Sequence, residues 1–331
     1  MAKIEFVNVT KQYSGTNKGA VQNVTLTVES GTLCMLLGTS GSGKTTLLRM
    51  VNRLIDPTSG EIRINGTATI HQDPITLRRS IGYVIQQIGL FPHMTIAENV
   101  RIVLTILGKS ASESAPRVNE LLELVGLAPD EYRNRFPGQL SGGQQQRVGL
   151  ARALAADPDV LLMDEPFGAL DAITRGRIQD ELKRIHNETK KTILFVTHDV
   201  EEALKLGNQI AIMSEGHLVQ QGTPIELFIS PANDFVSKLI GADNILRQFE
   251  HIPVKQAIEP VSHANLQRID SSSMLLQALL QLIQSGSEAL TVEENGKQLG
   301  QVTLSSIYRE VQMKKTPVAA VPTPVALAPT A

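Results

Sequence analysis

The segment Gly38-Thr39-Ser40-Gly41-Ser42-Gly43-Lys44-Thr45 fits G-x-x-x-x-G-K-[ST], the pattern of a loop that wraps nucleotide phosphates. Its glycines let the backbone curl toward an anion, and a helix starting there adds its positive end. Lys44 is expected to meet the β- and γ-phosphates and the Thr45 hydroxyl to reach Mg2+, with Thr46 completing the binding run. Such a loop also needs a carboxylate for the cation and a base for water. Asp164, at the end of an apolar run, suits the first role, directly or through water. Glu165, one residue on, is placed to face the γ-phosphate and polarise an attacking water. Ser141 and Gln144 form the S-x-x-Q signal of a capped helix start. Capping does not need Gly142 and Gly143 in the first turn, where each costs about 1 kcal/mol relative to alanine. The pair implies a close approach to the backbone, for which a phosphate at a helix N-terminus would account. The rival G-x-G-x-x-G pattern fails, because Gly41-Ser42-Gly43-Lys44-Thr45-Thr46 lacks the third glycine.

These residues require particular elements around them. Thr32-Leu33-Cys34-Met35-Leu36-Leu37 reads as a buried strand before the loop, and Leu47, Leu48, Met50, Val51 and Leu54 recur at helical spacing after it. Asp159-Val160-Leu161-Leu162-Met163-Asp164 and Thr192-Ile193-Leu194-Phe195-Val196-Thr197 are further apolar strands. Separated by helical stretches, they predict a parallel sheet buried on both faces. Alternation around Ile4, Phe6, Val9, Val24, Leu26 and Val28, and again at 61–66 and 81–85, predicts more short strands. Residues 95–157 turn helical, with Val118, Leu121, Leu122 and Val125 on one face, and 209–220 reads as a closing hairpin.

At 331 residues the chain exceeds what one compact core usually holds, so two structural units are expected. Thirty-one basic and 33 acidic residues balance to a net charge of -2, which argues against a basic nucleic-acid groove, and the absence of tryptophan leaves few stacking platforms. The lone cysteine, Cys34, falls in a core strand and suits a reducing compartment. The start Met1-Ala2-Lys3-Ile4-Glu5 is no apolar leader, and no run of about 18 apolar residues predicts a membrane span. None of the seven histidines has metal-ligand spacing.

Taken in order, these motifs resemble the nucleotide-binding subunit of ABC transporters over residues 1–240. Leu140-Ser141-Gly142-Gly143-Gln144 matches the family signature. Gln86 matches the glutamine that links the nucleotide site to the membrane partner, Ala169-Leu170-Asp171 the loop that crosses the dimer interface, and His198 the switch histidine. Tyr13 sits where an aromatic ring stacks on adenine. The resemblance implies an α/β P-loop NTPase with a RecA-like core, an antiparallel β subdomain and a helical subdomain at about 88–157. It implies two copies packed head to tail, with ATP between the phosphate loop of one and Ser141-Gly142-Gly143 of the other. Lys44, Gln86, Glu165 and His198 would serve hydrolysis, and Thr45, Gln86 and Asp164 would contact Mg2+. Coupling would run through Gln86 and residues 88–93 to transmembrane permease subunits at the cytoplasmic face of the membrane, and indirectly to a substrate-binding protein, with no nucleic-acid partner.

The stretches 83–93, 163–171 and 231–236 are similar to importers of osmoprotectants such as glycine betaine, choline or carnitine. After a linker at 241–251, residues 252–312 resemble a single CBS motif, where such subunits often carry a pair. Leu275, Leu276, Leu279, Leu280 and Ile283 predict a helix there, and strands flank Asn295-Gly296. Residues 313–331, rich in Pro, Ala, Val and Thr, are expected to be a disordered tail. Alternatives are an importer of another solute, such as an amino acid or sulfonate, and a soluble ABC ATPase without a transport role. The very long insertions or second cassette of repair and translation members are not seen.

Overall fold

The computed structural model describes residues 2–15, 18–86, 89–168, 170–241, 249, 252–261 and 267–315, without the side chains of 229 and 311–315. Gln87, Ile88 and Ala169 therefore lie outside the described residues, as do most of the expected linker and the tail from 316 onward. The chain divides into two compact units, Met1–Ala242 and Asp243–Ala331.

The first unit begins with β1 (Ile4–Lys11) and β2 (Val21–Val28), followed by β3 (Leu33–Gly38), the phosphate loop and α1 (Lys44–Val51). Next come β4 (Ser59–Ile64), β5 (Thr67–Ala68), α2 (Pro74–Ser80) and β6 (Ile81–Val84). The helical stretch holds α3 (Ile96–Ile106), α4 (Ala111–Leu124), α5 (Pro129–Tyr132) and α6 (Gly142–Leu154). After it come β7 (Val160–Asp164), α7 (Ala172–Thr189), β8 (Thr192–Thr197), α8 (Val200–Leu206), β9 (Gln209–Ser214), β10 (His217–Gly222), α9 (Pro224–Ile229) and α10 (Asp234–Ile240).

Two sheets form. β2-β1-β4-β5 is antiparallel. The larger runs β10-β9-β3-β8-β7-β6, parallel from β9 to β6, with β10 antiparallel at one edge. Every residue of β3, β7 and β8 is buried, which is why these strands read as unbroken apolar runs. Ile4, Phe6 and Leu26 of the small sheet share one core with Leu47, Leu48 and Val51 of α1 and Leu36, Leu162 and Val196 of the large sheet. The phosphate-loop helix is thus packed by both sheets. It stops sooner than the apolar spacing predicts: Asn52 is the C-cap and Leu54 lies beyond the helix, half exposed. Arg53 at φ 55° turns the chain out of helical geometry there.

The second unit orders β11 (Arg268–Asp270), α11 (Leu275–Ser285), β12 (Ala289–Glu294), β13 (Lys297–Thr303) and α12 (Leu304–Lys315). β11 pairs parallel with β12, and β12 antiparallel with β13. The three-residue β11 is too short to register in the sequence pattern. Helix α12 runs to Lys315, three residues into the segment read as tail, because no glycine or proline interrupts 304–315 and the first breaker is Pro317.

Cys34 is fully enclosed in β3, and burial pushes its thiol up to about 12. Native protein at pH 8 should therefore resist iodoacetamide. Stoichiometric labelling is expected only after unfolding in guanidinium, and mass spectrometry of the two samples checks it.

Candidate functional site

In a parallel sheet, the carboxyl ends of adjacent strands form one edge where loops meet. Here β3, β8, β7 and β6 stand in that spatial order. Their registers place Leu37 beside Thr197, Asp164 beside Val196, and Val84 beside Met163. Gly38, His198, Asp164 with Glu165, and Gln86 therefore follow four neighbouring strand ends.

The phosphate loop needs its glycines for two separate reasons. Gly38, Gly41 and Gly43 take φ of 156°, 77° and 99°. A Cβ at Gly38 would also overlap the Met213 carbonyl, and one at Gly43 the Ala20 carbonyl. The loop is thus wedged between the β9–β10 hairpin and the chain before β2. Gly216 N, in the hairpin turn, donates to Ser42 O at 3.1 Å, and Gln22 N donates to Gly216 O at 2.8 Å. Lys44 is buried inside the loop, its Nζ donating to Gly38 O at 2.9 Å and Thr39 O at 2.8 Å. Burial pushes its ammonium below the ordinary lysine value, against the pull of Glu165 and Asp164.

Thr45 Oγ1 donates to Asp164 Oδ1 at 2.8 Å, and Arg49 Nη2 to Asp164 Oδ2 at 3.3 Å. Thr45 and Arg49 are four residues apart on α1, on one helical face, so both reach the same carboxylate. That spacing was available in the sequence, and Arg49 is a residue it could have nominated. Asp164 is 2% exposed, and its contact with Thr45 brings together two hard oxygen donors of the kind a magnesium ion takes.

Glu165 has φ 44°, a left-handed conformation that costs about 1–3 kcal/mol in a non-glycine residue. The turn aims its carboxylate at its two neighbours. Gln86 Nε2 donates to Glu165 Oε2 at 3.3 Å, and His198 Nδ1 lies 3.3 Å from the same oxygen. His198 is 63% exposed and Glu165 22%, so the group faces open space while remaining anchored.

The remaining residues lie apart from this cluster. Ser141 caps α6, its Oγ accepting from Gln144 N at 3.3 Å while Gln144 Oε1 accepts from Ser141 N at 2.9 Å. Among the described residues its hydrogen bonds are to Gln144 and, through its carbonyl, to Gln145 N, not to the phosphate loop. Asp171 caps α7, accepting from Ile173 N at 3.1 Å and Thr174 N at 3.0 Å. Tyr13 is 42% exposed, with Lys11 Nζ 5.4 Å from its ring centre. Residues 89–95, beside Gln86, are held by groups the pattern did not flag. Buried Asn99 accepts from Phe91 N at 2.7 Å, and Arg152 of α6 donates to Gly89 O at 2.7 Å.

The two signature glycines have different explanations. Gly142 is exposed, and a Cβ there would meet only Leu170 Cδ2 at 3.8 Å. Gly143 is buried, and a Cβ there would overlap Thr174 Cγ2. The close approach inferred at Gly143 is therefore to α7 of the same chain.

The fold and this strand-end site define a P-loop nucleotide-binding cassette. The profile of the family described as ABC transporter matches residues 21–168. The carnitine transport ATP-binding protein OpuCA of Listeria monocytogenes is 46% identical over 296 residues, 89% of this chain and 73% of that protein. The glycine betaine uptake system ATP-binding protein YehX of Escherichia coli is 45% identical over 290 residues, 87% of this chain and 93% of that one. Among solved structures, the dimeric post-hydrolysis state of the ATP-binding cassette MJ0796 bound to ADP and Pi superposes with a TM-score of 0.60 at 37% identity. That match covers 67% of this chain and 98% of the other. The chain belongs to the ABC transporter family.

The packing at Gly143 yields a measurable balance. Gly143→Ala would gain up to about 1 kcal/mol of helix propensity, while overpacking against Thr174 costs about 1–3 kcal/mol. The net expected is a destabilisation of about 1 kcal/mol. Thr174→Ser, which removes the obstructing methyl, should abolish it. Denaturation midpoints of the two single variants and the double variant measure this.

Proposed function

We propose that this chain is the ATP-hydrolysing subunit of a bacterial ABC importer for an osmoprotectant of the quaternary-amine class. The observation that carries the ATPase reading is the convergence of Gln86 and His198 on Glu165, one residue beyond the carboxylate that Thr45 contacts.

Lys44 turns from the Gly38 and Thr39 carbonyls to the β- and γ-phosphates of ATP, which supply the negative charge its buried ammonium lacks. The backbone N–H groups from Gly38 through Thr46 and the first turn of α1 cradle the phosphates. Thr45 and Asp164, with Gln86, would hold Mg2+, which would supply positive charge against the phosphate oxygens. Glu165 takes the proton of the attacking water while His198 orients the γ-phosphate. Tyr13 stacks on the adenine.

Ser141, Gly142 and Gly143 serve the nucleotide of a second copy. Ser141 and Gly142 are exposed at a helix start and occupied only by local capping, so they remain open to a phosphate from outside the chain. Asp171 lies at the same interface. ATP is then part of the contact between copies, and its cleavage lets them part. Among the described residues no helix is long and apolar enough to cross a membrane. Transport therefore depends on permease subunits, docked near Gln86 and residues 89–93 at the cytoplasmic face and served by a substrate-binding protein. Supporting the solute class are the relatives' names, which specify carnitine and glycine betaine. The second unit, with its βαββα order, is a CBS-like regulatory module.

Glu165→Gln should retain ATP, lose at least about 100-fold in turnover and accumulate as an ATP-dependent dimer. Sizing chromatography with and without nucleotide tests this, with Lys44→Ala as the variant that neither dimerises nor turns over. A Glu165→Gln protein that stays monomeric under saturating ATP would weigh against the shared site. For the solute, the complex reconstituted with its permease should hydrolyse ATP faster when a betaine-loaded binding protein is added. Stimulation by an amino-acid-loaded protein alone would assign another cargo.

A further inference from the structure

Arg175, in the first turn of α7, contacts two segments at once. Its Nη2 donates to Leu170 O at 3.0 Å, the carbonyl immediately before Asp171. Its Nη1 lies 3.6 Å from Asp199 Oδ2, on the residue immediately after His198. Asp199 is itself tied down: its N donates to Thr197 Oγ1 at 3.0 Å and its Oδ1 accepts from Glu202 N at 3.1 Å. Glu202 is buried behind it and accepts from Gln179 Nε2 of α7 at 3.1 Å, with a further hydrogen bond from Thr197. Glu165, Arg175, His198, Asp199 and Glu202 line one cavity of about 60 Å³. Arg175 Nε is buried in this arrangement without a partner among the described residues. A side chain kept only for packing would not leave a buried donor unsatisfied, and lysine or methionine would avoid it. The guanidinium fork is what one side chain needs to grip a carbonyl and a carboxylate in two directions.

We propose that Arg175 is a positioning residue for hydrolysis. It bridges the Asp171 turn to the His198 turn, with Gln179 and Glu202 as the rigid floor, so that His198 takes its reactive place only when the Asp171 turn is seated. The bridge acts through His198. The proposal rests on the reading of His198 as a hydrolytic residue and of Asp171 as an interface residue.

The test is steady-state ATP turnover of the full chain with four variants: Arg175→Met, Arg175→Lys, His198→Ala, and Arg175→Met with His198→Ala. Arg175→Met should lower kcat at least tenfold and leave KM for ATP within threefold of wild type. Arg175→Lys should fall between the two, because an ammonium cannot hold both partners. In the His198→Ala background, Arg175→Met should change single-turnover rates less than twofold. Wild-type kcat in Arg175→Met, a loss confined to KM, or an equal fold-loss with and without His198 would each overturn the bridge. Should Arg175→Met fail to fold, Arg175→Lys with unaltered kcat would overturn it as well. Wild-type turnover in His198→Ala would remove the hydrolytic reading along with the bridge, whereas a slow His198→Ala beside a fast Arg175→Met removes the bridge alone.

Discussion

The hydrogen bond from Thr45 to Asp164 spans a distance the sheet alone leaves open. Strands β3 and β7 are not neighbours, since β8 lies between them. At about 4.8 Å per strand, the phosphate loop and the Asp164 carboxylate start roughly 10 Å apart. The first turn of α1 crosses that gap over the end of β8, and Thr45 closes it at 2.8 Å. His198 follows β8, the strand between the two ends that the crossing joins. The site therefore depends on strand order, and on α1 being packed firmly enough to hold the span.

That firmness comes from burial. Lys44, Leu47, Leu48, Met50 and Val51 are buried in an eight-residue helix too short to persist alone in water. The small antiparallel sheet supplies one wall and the parallel sheet the other. A charged residue at the start of such a helix is costly to bury, and the loop offsets this by turning two carbonyls onto Lys44 Nζ. Those carbonyls hold the ammonium where anionic oxygens of a nucleotide would replace them.

Rigid and exposed parts divide cleanly. Asp164 is enclosed and has both oxygens engaged, whereas His198 is largely open to solvent and Glu165 stands in a left-handed turn between them. The strained position lies between a fixed carboxylate and an exposed imidazole, where pre-organisation is most useful. Ser141 is held by its own capping box, and among the described residues none of its hydrogen bonds goes to the phosphate loop. In the proposed dimer, Ser141 would serve the nucleotide held by the phosphate loop of the other copy.

The phosphate loop, the apolar strands, the Asp164-Glu165 pair and the capping box at Ser141 were legible in the sequence. Each is a local pattern whose glycine spacing, apolar run or S-x-x-Q offset states its own geometry. Motif order further indicated the family, because so many short patterns seldom recur together by chance. Other features were decided only by tertiary structure. That Gly143 answers to Thr174 requires knowing that α7 crosses α6. That Arg175 meets both Leu170 and Asp199 requires α7 and α8 packed at the end of β8. Helix α1 ended before Leu54 because Arg53 took a left-handed turn that apolar periodicity cannot encode. Local chemistry is written in residue types and intervals, whereas contacts between distant segments depend on strand order and packing, which no interval in the chain specifies.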